Sequence, residues 1–244
     1  MGAEYFNEPE VKASANLATF PARRDILPKM IASVYDQFDI VRVFLNQWEG
    51  LPIPECLKNK CKIQYYQEDG MNLTDNGKFY FIPEKGYSPE IYFTLDDDLI
   101  YPKDYVKVTL ENLNKHPGSI ISYHGRKLKG TGLRYYRDHK AYRCLGAVHE
   151  DTPVDVPGSG VAAFDTRYFC PDNIWNSPNL LMSDLILAQA AAEERIPVWC
   201  CKHEQGWIGY LNPVNTIWDN HSGKHTPVQN KIADEIFKLR NSTL

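Results

Sequence analysis

The sequence predicts an α/β protein built as one domain, with a mostly parallel central sheet flanked by helices. Three observations carry the prediction. Short apolar runs alternate with segments whose apolar residues recur every three to four positions, the pattern of strand–helix–strand units. The 244 residues suit one large domain, and 43 % hydrophobic residues are enough to fill a core. One apolar run ends abruptly in Asp96-Asp97-Asp98, as expected where a buried strand surfaces at the edge of an open sheet.

Residues 11–19 read as the opening strand, broken by Phe20-Pro21. A helix follows, with Ile26, Met30, Ile31, Val34 and Phe38 on one face. Residues 41–45 form a second strand closed by Asn46, and residues 61–66 a third. Asp75 is the expected N-cap of an aromatic turn at Phe79, Tyr80 and Phe81. Residues 90–95 are the strand before the acidic run. Pro102 opens the next helix, whose buried face is Val106, Leu110 and Leu113. Residues 119–123 are another strand. From 125 to 151 the chain is basic and rich in Gly and Tyr, and reads as a mobile loop. Residues 154–164 return to strand. Ser183 is the expected cap of a helix over 184–195, whose alanines imply close packing. Residues 196–201 are a strand, and a final amphipathic helix follows a loop of His221, Gly223, Lys224 and His225.

A net charge of −4 argues against nucleic acid as a partner. The six cysteines include no CxxC pair, so their spacing matches neither a zinc framework nor a disulfide scaffold; reduced thiols of a cytoplasmic protein fit best. The polar, acidic start and the shortness of every apolar run predict a soluble chain without signal peptide or transmembrane segment. It would meet a membrane only peripherally, through a partner.

Side chains alternate along a strand, so Asp96 and Asp98 point to one side and Asp97 to the other. Two adjacent carboxylates disfavour joint ionisation unless a cation neutralises them, and a hard divalent ion, Mg²⁺ or Mn²⁺, is the natural partner. Asp184 sits at a helix start, where the dipole favours its anion, while apolar Met182 and Leu185 push the other way. An ionised Asp184 beside a hydroxyl is a candidate general base. His221 is a second candidate metal ligand.

The segment Phe93-Thr94-Leu95-Asp96-Asp97-Asp98 resembles the DxD element of GT-A fold glycosyltransferases, which use nucleotide-sugar donors. Thr19-Phe20-Pro21-Ala22-Arg23 resembles their first nucleotide-contacting loop, and Asp75-Asn76-Gly77-Lys78 their Gly-Lys turn near the donor. Residues 157–164, from Pro157-Gly158-Ser159-Gly160 to Phe164, resemble the small-residue strand beside the acceptor. Ser183-Asp184-Leu185 resembles the start of the helix that supplies the base in inverting members, although a second acidic residue is missing there. The likeness covers about residues 11–200, in the family's order. It implies a single GT-A domain: a donor part over 11–100, an acceptor part over 101–210, and a C-terminal loop and helix over 211–244.

The resemblance further implies that Asp98 and Asp96 hold the metal, with Mn²⁺ or Mg²⁺ as cofactor, and that Asp184 is the catalytic base. It places Thr19, Phe20, Arg23, Asn46, Asn76, Gly77, Lys78, Asp96, Asp97 and Lys224 around the donor, with His221 completing the metal shell. Arg24 is a weaker candidate of the same kind. The implied partners are a nucleotide-sugar donor, UDP-sugar favoured, and a glycan or glycoconjugate acceptor. Asp184 points to inversion, whereas the His221–Lys224 loop is loosely similar to one in retaining members. Two alternatives stand beside this reading: a sugar-phosphate nucleotidyltransferase, which a glycine-free loop after the first strand disfavours, and a catalytically silent carbohydrate-binding module. No P-loop, GxGxxG fingerprint or GxSxG elbow is present.

Overall fold

Alternation in the opening run sends Ala13, Ala15 and Leu17 to one face of β1 (Lys12–Thr19), where all three are buried. The computed structural model describes residues 11–86, 88–211 and 226–242 and sets β1 inside an eight-stranded sheet. β2 (Ile40–Leu45) and β3 (Ile63–Tyr66) add outward on one side, both parallel. β4 (Glu90–Leu95) pairs parallel with β1 on the other side. Chain order therefore reverses between β1 and β4, which makes a topological switch point where the carboxyl ends of two neighbouring strands diverge.

Beyond β4 the sheet is mixed. β5 (Leu99–Ile100) pairs elsewhere, with β13 (Gly209–Tyr210). β6 (Ile120–Ser122), β9 (Thr152–Pro153), β11 (Val161–Asp165) and β12 (Val198–Cys200) complete the order β3-β2-β1-β4-β11-β6-β12-β9. β11 runs antiparallel to both β4 and β6. Helices α1 (Leu27–Val34) and α2 (Tyr105–Lys115) pack on one face, with Leu27, Met30, Ile31 and Val34 against Val41, Val43 and Phe93. α3 (Ser183–Glu193) covers the other face through Ile186, Leu187 and Ala191, and α4 (Thr226–Asn241) packs on α3 through Ile232, Ala233 and Ile236. No described helix is long and apolar enough to cross a membrane. All six cysteines are free.

Several local expectations need correction. The basic segment after Gly125 contains a hairpin, β7 (Gly125–Leu128) with β8 (His139–Tyr142), where a loop was expected. Asp155 fixes it, pairing with Lys127 Nζ at 2.8 Å and accepting the Leu128 N–H at 2.8 Å. The expected strand over 154–164 is split: β10 (Val156–Pro157) joins the hairpin sheet, and only β11 belongs to the main sheet. Proline removes a ladder donor at 157, and Gly158 lies so close to His124 that a Cβ would come within 2.5 Å of that side chain. α1 stops before Phe38, which is buried edge-on against Phe93 nonetheless. In α2 the buried face is Tyr105, Thr109, Asn112 and Leu113; Val106 and Leu110 are only half-buried. Asp75 caps no turn of its own: it lies inside a 3-10 turn, Thr74–Phe79, and accepts the Leu181 and Ser183 N–H groups at 3.0 and 3.2 Å, serving the entry to α3. Ser183 is accordingly the first residue of α3, preceded by Met182 at the cap.

Candidate active site

Thr19 ends β1 and the acidic run follows β4, so both line the switch-point crevice. Thr19 Oγ1 donates to Asp97 Oδ2 at 2.7 Å, directly across it. The chain turns past β4, and exposure separates the three carboxylates: the Asp97 side chain is 10 % exposed, against 43 % for Asp96 and 20 % for Asp98. Arg23 lies beneath them, with Nε 3.6 Å from Asp97 Oδ1 and one Nη 3.9 Å from Asp98 Oδ2. Burial pushes the Asp97 carboxyl up to about 7. Burial, and next the charge of Asp96, push Asp98 up to about 6. Like charges held together at a partly buried edge disfavour the doubly ionised state.

Lys78, itself buried, forms a hydrogen-bonded ion pair with Asp96. Burial alone would lower the lysine, but the charges of Asp96 and Asp75 outweigh it, and the ammonium is held above its ordinary value. The Asp96 N–H donates to the Tyr101 hydroxyl at 2.8 Å, and that hydroxyl donates to Gly160 O at 2.6 Å. Gly160 makes room for the carboxylate: a Cβ there would lie 1.9 Å from Asp96 Oδ2.

Asp184, in the first turn of α3, accepts from Arg126 at 3.1 Å and from the Ser159 N–H and hydroxyl at 2.8 and 2.9 Å. Burial opposes its charge, yet Arg126, His124 and these hydrogen bonds prevail, and its carboxyl is held below the usual range. Burial and the adjacent Arg126 push His124 down to about 4, so its imidazole is neutral at physiological pH. Ser159 bonds Asp184 and the next residue, Gly160, lies against Asp96, so one short stretch of chain brings the two carboxylates to the same place.

The other expected site residues divide. Phe20 packs under the Arg23 guanidinium, 5.1 Å from the ring centre. Asn46 is spent on the adjoining turn: its Oδ1 accepts the Leu73 and Thr74 N–H groups, and its Nδ2 donates to the Asn72 side chain. It shapes the turn at Thr74, a residue at φ 51. Asn76 is fully buried, with no hydrogen-bond partner for its amide among the described residues. Gly77 answers a packing need, since a Cβ there would meet the Phe44 ring at 2.7 Å. Arg24 turns away, over the Trp48 ring. His221 and Lys224 lie outside the described residues. Sequence reasoning missed Tyr101, His124 and Arg126. Tyr101 follows β5, three residues beyond Asp98, and His124 lies just past the end of β6, where ligand-facing residues collect; Arg126 lies inside β7 and carried no such signal.

No family model matches the chain, and no curated protein does. Among solved structures, the crystal structure of S. aureus TarS 1-349 aligns over 77 % of this chain and 58 % of that one, at 15 % identity and a TM-score of 0.45. The chain thus spans less than two thirds of that structure.

Proposed function

We propose that the chain is a metal-dependent glycosyltransferase of GT-A type. It would move a sugar from a nucleotide-diphospho-sugar, UDP-sugar favoured, to a hydroxyl of a glycan or glycoconjugate, with inversion. One observation supports the reading: Asp96 and Asp98 stay partly exposed just past the end of β4, and the adjacent Ser159 and Gly160 lie against Asp184 and Asp96 respectively.

Asp96 and Asp98 fit a hard divalent cation such as Mn²⁺ or Mg²⁺, because they offer only oxygen donors and the charge of Asp96 already raises Asp98. When bound, such an ion neutralises negative charge on the donor diphosphate. Arg23 and Lys78 add fixed positive charge beside it. Asp184 takes the proton of the acceptor hydroxyl as the new oxygen–carbon bond forms and the carbon–phosphate oxygen bond breaks; the nucleoside diphosphate leaves with that bonding pair. The hold of Arg126 makes Asp184 a weak base, so proton transfer comes late, once the attacking oxygen has become acidic. In this reading residues 11–100 form the donor half, residues 101–210 the acceptor half, and residues 211–244 a C-terminal loop and helix. A cytoplasmic location would suit the free thiols.

The test is nucleoside diphosphate release from a panel of donors with and without Mn²⁺, in the wild type and in Asp98→Asn. Mn²⁺-dependent release that Asp98→Asn abolishes supports the reading. No release with any donor, together with no Mn²⁺-dependent nucleotide binding, refutes it. Pyrophosphate release from a nucleoside triphosphate would instead select the nucleotidyltransferase.

A further inference from the structure

The ligands of a metal need not be neighbours in the chain, so a spacing that matches no zinc framework leaves sites assembled by the fold. His116 closes α2, Asp151 immediately precedes β9, and Cys201 immediately follows β12, fully buried. The fold brings one ligand atom from each within 4.8 Å of the others. His116 Nε2 lies 3.0 Å from Asp151 Oδ2. Both groups are oriented from behind: the other Asp151 oxygen accepts the Lys202 N–H at 2.8 Å, and the His116 ring stacks on Trp199, with centroids 4.1 Å apart and planes at 17°. Such outer contacts are what fix the ligands of a metal site.

We propose that His116, Asp151 and Cys201 bind a divalent cation of the zinc class, separately from the carboxylate crevice, and that this ion staples three chain segments together. The donor set of one nitrogen, one oxygen and one sulfur selects zinc over magnesium or manganese. A tetrahedral zinc sets the nitrogen–oxygen edge at about 3.4 Å and the edges to sulfur at about 3.6 Å. The first edge is nearly met, and the edges to sulfur, each no longer than 4.8 Å, need to close by at most about 1.2 Å. A thiolate and a carboxylate balance the two positive charges: the thiol proton leaves to solvent as the metal–sulfur bond forms, and the proton that His116 Nε2 gives to Asp151 leaves that nitrogen through solvent, with Nδ1 carrying the ring proton as Nε2 takes the metal. The His116 and Asp151 side chains are 17 % and 23 % exposed, which opens a path for entry and a place for water as the fourth ligand. Lys115 opposes the cation, with its ammonium drawn aside to Asn112 Oδ1 at 3.1 Å.

The experiment titrates the reduced, untagged, chelator-stripped chain with Co²⁺ alone. One ion per chain is expected to produce tetrahedral visible bands and a near-ultraviolet thiolate charge-transfer band, both displaced by stoichiometric Zn²⁺. Cys201→Ser is expected to abolish the charge-transfer band with unchanged circular dichroism, and Asp98→Asn to keep it. His116→Gln, at a half-buried position, weakens binding at least about tenfold and carries the test if the cysteine variant does not fold. Absence of the thiolate band in the wild type, or its survival in Cys201→Ser, overturns the proposal. Neither outcome bears on donor turnover, which reads the Asp98 site.

Discussion

Gly160→Ala adds a single methyl group at the most crowded point beside the acidic run. The new Cβ would lie 1.9 Å from Asp96 Oδ2 and 2.2 Å from its Cγ. Ordinary contact needs about 3.5 Å, so the carboxylate must retreat by roughly 1.5 Å. Gly160 has no left-handed φ, so alanine brings no backbone strain to confuse the result. Asp96 is the most exposed of the three aspartates and can swing outward, but doing so abandons Lys78, which stays buried without its partner. The combined loss is about 2 kcal/mol, within the ordinary range for overpacking, and corresponds to a fall in Tm of about 4–8 °C for a chain of this size. Donor turnover falls further, by about 100-fold, because a 1 Å displacement of a positioned group is enough for that. Melting curves and Mn²⁺-dependent nucleoside diphosphate release check both numbers. An alanine variant within twofold of wild type in turnover, with the same Mn²⁺ requirement, would refute the placement of Asp96 in the site.

Tyr101→Phe leaves the Asp96 N–H and Gly160 O without their shared hydroxyl and is expected to lower stability by about 1–3 kcal/mol, read by denaturant midpoint. Asp97 has a folded pKa of about 7, above its unfolded value, so its contribution is fully present below the unfolded pKa and is lost as pH rises through 7. Asp97→Asn does not titrate; its Tm relative to wild type should therefore rise between pH 5 and pH 8, by on the order of 2–3 kcal/mol in stability. A difference that is flat with pH contradicts the burial argument. Arg126→Gln removes the cation that holds Asp184 down, so the acidic limb of the pH–rate profile should move to higher pH.

The sheet positions that matter most were readable because burial and alternation are local. Residues 90–95 show an unbroken apolar run and then a charge, and the structure keeps those strand boundaries; the three aspartates lie in the turn beyond, where Arg23 reaches Asp97 and Asp98 together, so strand alternation does not set their facing. What stayed hidden depends on partners far along the chain. The hairpin after Gly125 looked like a loop because its order comes from Asp155, not from its own propensities. Asp75 has the residue type and position of a cap, but the N–H groups it satisfies lie at the entry to α3, more than a hundred residues away. Lys78 was readable as a cation near the strand end; its pairing with Asp96 was not, because pairing is a tertiary fact.

The connection from Asp75 to Asp184 leads to one further prediction. Ser183 Oγ lies 2.5 Å from Asp75 Oδ2 and 2.7 Å from Ser159 Oγ, which lies 2.9 Å from Asp184 Oδ1. Three short oxygen–oxygen contacts share only two hydroxyl protons, so the row is one proton short while both carboxylates are ionised. A proton arriving on Asp184 from an acceptor hydroxyl would complete it, with each oxygen donating to the next toward Asp75. The row therefore favours the protonated product state and offsets part of the pull of Arg126. Ser183→Ala cuts the row but spares the backbone N–H that Asp75 accepts. The Ser159 hydroxyl then serves only Asp184, stabilises its anion and weakens it as a base. The turnover number should fall with donor affinity unchanged, and the acidic limb should move to lower pH, opposite to Arg126→Gln. Two variants shifting the same limb in the same direction would show that Asp184 is not the group that titrates.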